Sequence, residues 1–147
     1  KWPNDILCSG RKVAGILIEH GISGGKLSHT IAGIGLNLNQ REFPEFPLPA
    51  SSLVLETGRK SHPREIAEVL VQRILEGYQK LREGEAHVLE EKYLRRLFRL
   101  GESSVFEAGG EVFEGTIRGV SLYGEILVER DGNVSPYGHG EISLKLD

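Results

Sequence analysis

From Val13 to Ile18 the chain reads Val-Ala-Gly-Ile-Leu-Ile, a short apolar run rich in β-branched residues, with Ser9-Gly10 before it and Gly21 to Gly25 after it. Such a run between turn formers predicts a buried strand. Gly24-Gly25 is a fitting hairpin turn, which makes Ser28 to Asn39 the antiparallel partner. That partner ends in strict alternation, so Leu36 and Leu38 are expected to face the core while Asn37 and Asn39 point the other way. Pro44, Pro47 and Pro49 then exclude both helix and central strand, which leaves a loop.

The period next becomes helical. Ala67, Leu70, Ile74, Tyr78 and Leu81 recur at steps of three or four, predicting a helix that opens at Pro63, is capped by Ser61 or His62, and stops at Gly84. A second helix is expected from Glu85 to Phe98, carried by Leu89, Tyr93 and Leu97 and closed by Gly101. Beyond it the period falls to two. Short strands are expected at 105–106, 111–120, 125–129, 133–137 and 142–146, with Asp131-Gly132 a strong hairpin turn. Strands this short and close suggest a small SH3-like β-barrel over 101–147, with the domain boundary near Leu100. A module of this size is marginal alone, so it is expected to dock on the helical part.

Composition narrows the class. A length of 147 residues suits one ordinary domain or two small ones. With 39% hydrophobic and 27% charged residues, and 18 Lys+Arg against 21 Asp+Glu, disorder and polycationic nucleic-acid binding are both disfavoured. No apolar run approaches the roughly 18 residues of a membrane span. The single cysteine, Cys8, cannot form an internal disulfide, which fits a reducing, cytoplasmic setting. The chain has no methionine and opens on Lys1-Trp2, so a fragment of a longer chain is expected.

Candidate chemistry gathers near the start. Lys1-Trp2-Pro3-Asn4-Asp5 combines a cation, a large aromatic and two short polar side chains. Asn and Asp can hold Mg²⁺ or meet ribose hydroxyls, and Lys can face phosphate; a polar turn before a strand explains the same residues. Lys12 stands at the mouth of the predicted strand and Gly15 three residues inside it, where a glycine permits close approach of a ligand. A solvated strand cap is the simpler reading. Gly33-Ile34-Gly35 is no dinucleotide fingerprint, since Leu38 stands where the third glycine belongs and no helix follows. Asn37 carries both donor and acceptor. Lys92, Arg95, Arg96 and Arg99 read as a solvated face near a helix C-terminus, and Pro44 to Pro47 as a loop. The five histidines have no ligand spacing, so no metal cluster is expected from them.

Three segments together, Lys1 to Asp5, Gly10 to Leu17 and Gly33 to Asn39, resemble biotin protein ligase in order and spacing, and Gly140 to Leu144 resembles that family's end. The resemblance implies an α+β fold: residues 1–100 as the C-terminal half of the catalytic domain, a partial sheet with two helices, then 101–147 as the SH3-like β-domain. It implies two steps, in which biotin's carboxylate attacks the α-phosphate of Mg-ATP to give biotinyl-5′-AMP, and a lysine of a biotin carboxyl carrier protein then displaces AMP. By resemblance Lys12 contacts the biotin carboxylate and α-phosphate as the catalytic residue. Gly15 and Leu17 line the biotin ring, Lys1, Asn4 and Asp5 serve ATP and Mg²⁺, Asn37 meets adenine and phosphate, and Lys145 is a basic position near ATP. The implied partner is the carrier domain, with no membrane and no nucleic acid bound by this stretch, and with room for a homodimer. The family's glycine/arginine-rich loop belongs before Lys1 and is absent, so the isolated fragment is expected to be inactive. A rival reading of a different class is a non-catalytic protein-interaction module built on the β-barrel.

Overall fold

The computed structural model describes residues 1–146. The fold is α+β, with two antiparallel sheets and three helices among the described residues. It divides into two compact units, Asn4–Leu70 and Lys1–Pro3 together with the chain from Val71 on.

In the first unit β1 (Asp5–Cys8), β2 (Arg11–Ser23) and β3 (Lys26–Leu36) form a sheet in that order. Gly24 and Gly25 make the β2–β3 turn at φ +57° and +74°. A two-residue turn matching the strand twist needs positive φ at both centres, which glycine supplies without strain. The hairpin is longer than the apolar run, and burial reaches only Val13 and Ala14, whereas Leu17 and Ile18 are 61% and 55% exposed. The expectation of a buried strand therefore fails beyond Ala14. The sheet has only three strands with β3 at its edge, and the far end of the hairpin is open on both faces among the described residues. The proline-rich loop turns back onto this sheet. The amide of Lys12 donates to the Pro49 carbonyl and that of Ser51 to the Lys12 carbonyl, both at 2.8 Å. A short helix, α1 (Leu53–Thr57), follows and buries Val54.

Helix α2 (Pro63–Arg82) keeps its predicted bounds and runs across the division between the units. None of its residues is buried, so its apolar face is uncovered among the described residues. Helix α3 (Ala86–Leu94) ends earlier than expected, and the chain beyond it tightens into turns that bury Leu97.

The second unit holds β4 (Ser103–Ala108), β5 (Glu111–Val120), β6 (Ile126–Arg130), β7 (Asn133–Tyr137) and β8 (Ile142–Leu144), in the order β7-β6-β5-β4-β8. The expected closed barrel is not formed. Strand β8 spans three residues and pairs with β4, and β7 pairs with β6, so no ladder joins the two edges among the described residues. Leu97, Phe106, Phe113, Ile117, Ile126 and Val128 make the core, with the partly buried Trp2 packed against them.

Gly115 marks the tightest point of this core. A Cβ there would meet Val128 Cγ1 at 2.8 Å and the Glu129 carbonyl oxygen at 3.0 Å. Overpacking a well-filled core typically costs about 1–3 kcal/mol. Gly115→Ala is expected to lower unfolding free energy by about that amount in denaturant titration; an unchanged midpoint would mean that the strands can part there freely.

Candidate active site

An irregularity in β1–β2 pairing decides which side of the sheet Lys12 serves. Asp5 pairs with Gly15 and Ile6 with Ala14, but Leu7 pairs with Lys12, so Val13 is an extra residue in β2. A β-bulge of this kind re-aims the side chains that precede it. In a regular ladder Lys12 would share a face with Ala14. The bulge instead puts it with Asp5 and Gly15, and Lys12 Nζ lies 2.6 Å from Asp5 Oδ1. The ammonium is 41% exposed and the carboxylate 13%.

That face has little side-chain cover beside the ion pair. Gly15 pairs with Gly35, and Leu17 with Gly33. A Cβ on Gly15 would stand 3.6 Å from Lys12 Cε and Nζ and 4.0 Å from the Asn4 carbonyl oxygen. The Asn4 carbonyl accepts the Ile16 amide at 2.9 Å, which fixes the entry into β1. Lys12, Asp5 and Asn37 also line one open cleft of about 660 Å³, together with Gln40, Phe43 and Phe46. Asn37 Nδ2 donates to the Ser51 carbonyl at 3.0 Å, so one of its two N–H donors holds the loop and fixes the side chain at the cleft.

The structure thus brings together Asp5, Lys12, Gly15, Asn37 and the Asn4 carbonyl, with Leu17 further along the same face and mostly exposed. Lys1 and Lys145 belong to the other unit. Lys1 lines a small apolar cavity with Trp2 and Phe98, and Lys145 pairs with Glu107. The sequence reading missed Phe43 and Phe46. Two aromatic residues in a loop otherwise fit for solvent were the available sign.

Lys12 is flanked by a second pair. Arg11 Nη2 meets Glu56 Oε1 at 2.8 Å, and the Glu56 side chain is 7% exposed. The buried Ser51 hydroxyl beside it and then Arg11 hold this carboxyl below the ordinary carboxylate range, against the desolvation that raises it. A lowered folded pKa stabilises fully above the unfolded value and loses that contribution as pH falls through the folded one. Glu56→Gln is therefore expected to flatten the acid limb of stability against pH, and an acid limb identical to wild type would remove Glu56 from the account.

Residues 1–37, which carry this face, match the biotin/lipoate A/B protein ligase family. The chain is 30% identical over 156 residues to the bifunctional ligase/repressor BirA of Escherichia coli, covering 99% of this chain and 46% of that protein. It is 30% identical over 132 residues to the biotin–[acetyl-CoA-carboxylase] ligase of Paracoccus denitrificans, covering 87% and 55%. Among solved structures it is similar to the biotin protein ligase from Aquifex aeolicus in complex with biotin and ATP. There the TM-score is 0.75 and the identity 31%, over 99% of this chain and 61% of that one. The apo structure of that ligase gives a TM-score of 0.76.

The fold and the matched segment define a protein of the biotin/lipoate ligase class. Within that class the chain belongs to the biotin protein ligase family. It spans about half the length of the curated relatives it matches.

Proposed function

We propose that this chain supplies the lysine-bearing part of the active site in a biotin protein ligase, which activates biotin with Mg-ATP to biotinyl-5′-AMP and passes biotin to a lysine of a biotin carboxyl carrier protein. One observation carries the reading: the Lys12 ammonium is held by Asp5 over the glycine face of β2 and β3, beside an open cleft. Attack of a carboxylate on a phosphate brings two anions together and builds charge on the α-phosphate, so a fixed cation at that point lowers the barrier. Lys12 is the residue for that role. Lys12 is the more exposed partner of the pair, so its ammonium is the end that can turn from Asp5 toward substrate anions.

In this reading the glycines let a flat bicyclic ring lie against the sheet, with Leu17 along its edge, and Asn37 meets adenine and phosphate. Asp5 and Asn4 offer one carboxylate and one amide to the nucleotide side. Among the described residues no cluster of three or more metal-ligating side chains exists. That donor set fits a Mg²⁺ arriving on the triphosphate, which keeps most of its shell from phosphate and water. Lys1 and Lys145 are assigned to the triphosphate, the β-strands over 101–147 to the SH3-like domain of the family, and the carrier to a surface that includes it. No helix is long and apolar enough to cross a membrane.

The test is biotin-dependent pyrophosphate release. The ligase that carries this chain, given biotin and Mg-ATP, should release pyrophosphate only when biotin is present, and should leave one carrier lysine biotinylated. Release that ignores biotin, or none with the carrier present, would overturn the proposal.

A further inference from the structure

We infer that Glu56 is a positioning residue for Lys12: by holding Arg11 on one face of β2 it fixes the register that turns the lysine to the other. The inference rests on the proposed role of Lys12 and adds what keeps that residue in place. Every residue it uses lies in the first unit.

The need for such a hold arises at the bulge. Cys8 pairs with Arg11 and Leu7 with Lys12, whereas beyond Val13 the ladder resumes one residue out of step. Side chains alternate along a strand, so a slip by one residue here would exchange the faces of Arg11 and Lys12. Those two pairs and the Ser9-Gly10 turn make up the short end of the β1–β2 hairpin, and both turn residues stand at positive φ, +49° and +76°.

Glu56 constrains that end from outside the ladder. Arg11 Nη2 meets its Oε1 at 2.8 Å, and the carboxylate is the buried partner of the two. A buried carboxylate is costly unless it is paired, so the pair favours one placement of Arg11. The carboxylate itself stands on a fixed base. The Leu53 and Val54 amides at the start of α1 donate to the Asn37 and Leu38 carbonyls, each at 2.9 Å, and Val54 is buried. Ser51, wholly buried, lies beside the carboxyl, and its amide bonds the Lys12 carbonyl. Glu56 therefore meets the neighbours of Lys12 from two sides, Arg11 along the strand and Ser51 across the bridge, on the face opposite the one where Lys12 meets Asp5.

Biotin-dependent pyrophosphate release by the ligase that carries this chain tests this. Glu56→Gln keeps the shape and removes the charge, and Arg11→Gln removes the charge of the more exposed partner. Each is expected to lower kcat/KM by about 10- to 100-fold, the scale that follows from moving a catalytic group by about 1 Å. The double variant should be no slower than the slower single one, and Glu56→Gln should add no loss in a Lys12→Ala background. Arg11→Lys, which keeps the cation, should recover most of the rate. A weakening of the fold alone would carry its loss into every background. Losses that multiply in the double variant, that persist without Lys12, or that Arg11→Gln shows and Glu56→Gln does not, overturn the inference and leave the site reading standing; so does wild-type activity in both single variants. Should Glu56→Gln fail to fold, the two Arg11 variants decide, and equal rates for Arg11→Gln and Arg11→Lys overturn the inference. Lys12→Ala activity within a few-fold of wild type overturns the site reading, and the inference falls with it.

Discussion

Lys12→Ala is expected to slow biotinyl-adenylate formation by about 10²- to 10³-fold, equivalent to about 2.7–4 kcal/mol of transition-state stabilisation, the usual cost of removing one group aimed at developing charge. The fold should survive. What ties this residue into the sheet is its backbone, through the Pro49 carbonyl and the Ser51 amide, and neither bond needs the side chain. The side chain contributes the pair with Asp5, whose carboxylate is only 13% exposed, so its loss carries a stability cost of its own, set by the carboxylate left behind. A kinetic loss far larger than the accompanying fall in stability is therefore the signature. Lys12→Arg separates charge from shape: it keeps the cation, but its planar fork spreads over the glycine face, and recovery should be partial. Biotin-dependent pyrophosphate release measures all three proteins. A Lys12→Ala enzyme within a few-fold of wild type would remove Lys12 from the chemistry.

What the sequence revealed and what it hid follow from where each signal lies. The β2–β3 hairpin was legible because its turn, Gly24-Gly25, and its apolar runs are local, and α2 was legible because Pro63 and Gly84 mark its ends. Strand β1 was not. It is four residues long and opens on Asp5, and it exists because β2 offers it an edge. The same holds for the loop that returns to Lys12, since its bond to Pro49 spans dozens of residues and no local period encodes it. Burial was overread for a related reason. Leu17 and Ile18 look like core residues in any window of sequence, but burial requires a second layer, and the described residues place none over the far end of the hairpin. The open second sheet repeats the lesson, because five strand signals do not say whether the first and last edges meet. At the candidate site, sequence order brought Asn4, Asp5, Lys12 and Gly15 under notice. The bulge at Val13, which puts Lys12 on their face, leaves no trace in composition or period.

That bulge leads to the second large effect, at a residue with no side chain. Gly15→Leu is expected to cost about 10²-fold in adenylate formation, the scale of loss that follows from moving a catalytic group by about 1 Å. A Cβ on Gly15 makes ordinary contacts at 3.6 Å with the Lys12 side chain, so Gly15→Ala should fold and retain most activity. Leucine adds a branched isobutyl group on the face where Lys12 Nζ lies against Asp5, and the lysine must move aside. Stability should change less than activity, because the nearest neighbours of an added Cβ at Gly15 or its partner Gly35 are the Lys12 side chain and backbone carbonyl oxygens rather than core side chains. The two substitutions can be told apart from a general weakening of the sheet by combining each with Lys12→Ala. If leucine acts by displacing Lys12, it has nothing left to displace in the double variant, and its penalty should shrink to whatever it costs the biotin ring directly. Full additivity, with the 10²-fold loss persisting after Lys12 is gone, would show that Gly15 serves the ring alone and that the position of the ammonium does not depend on it.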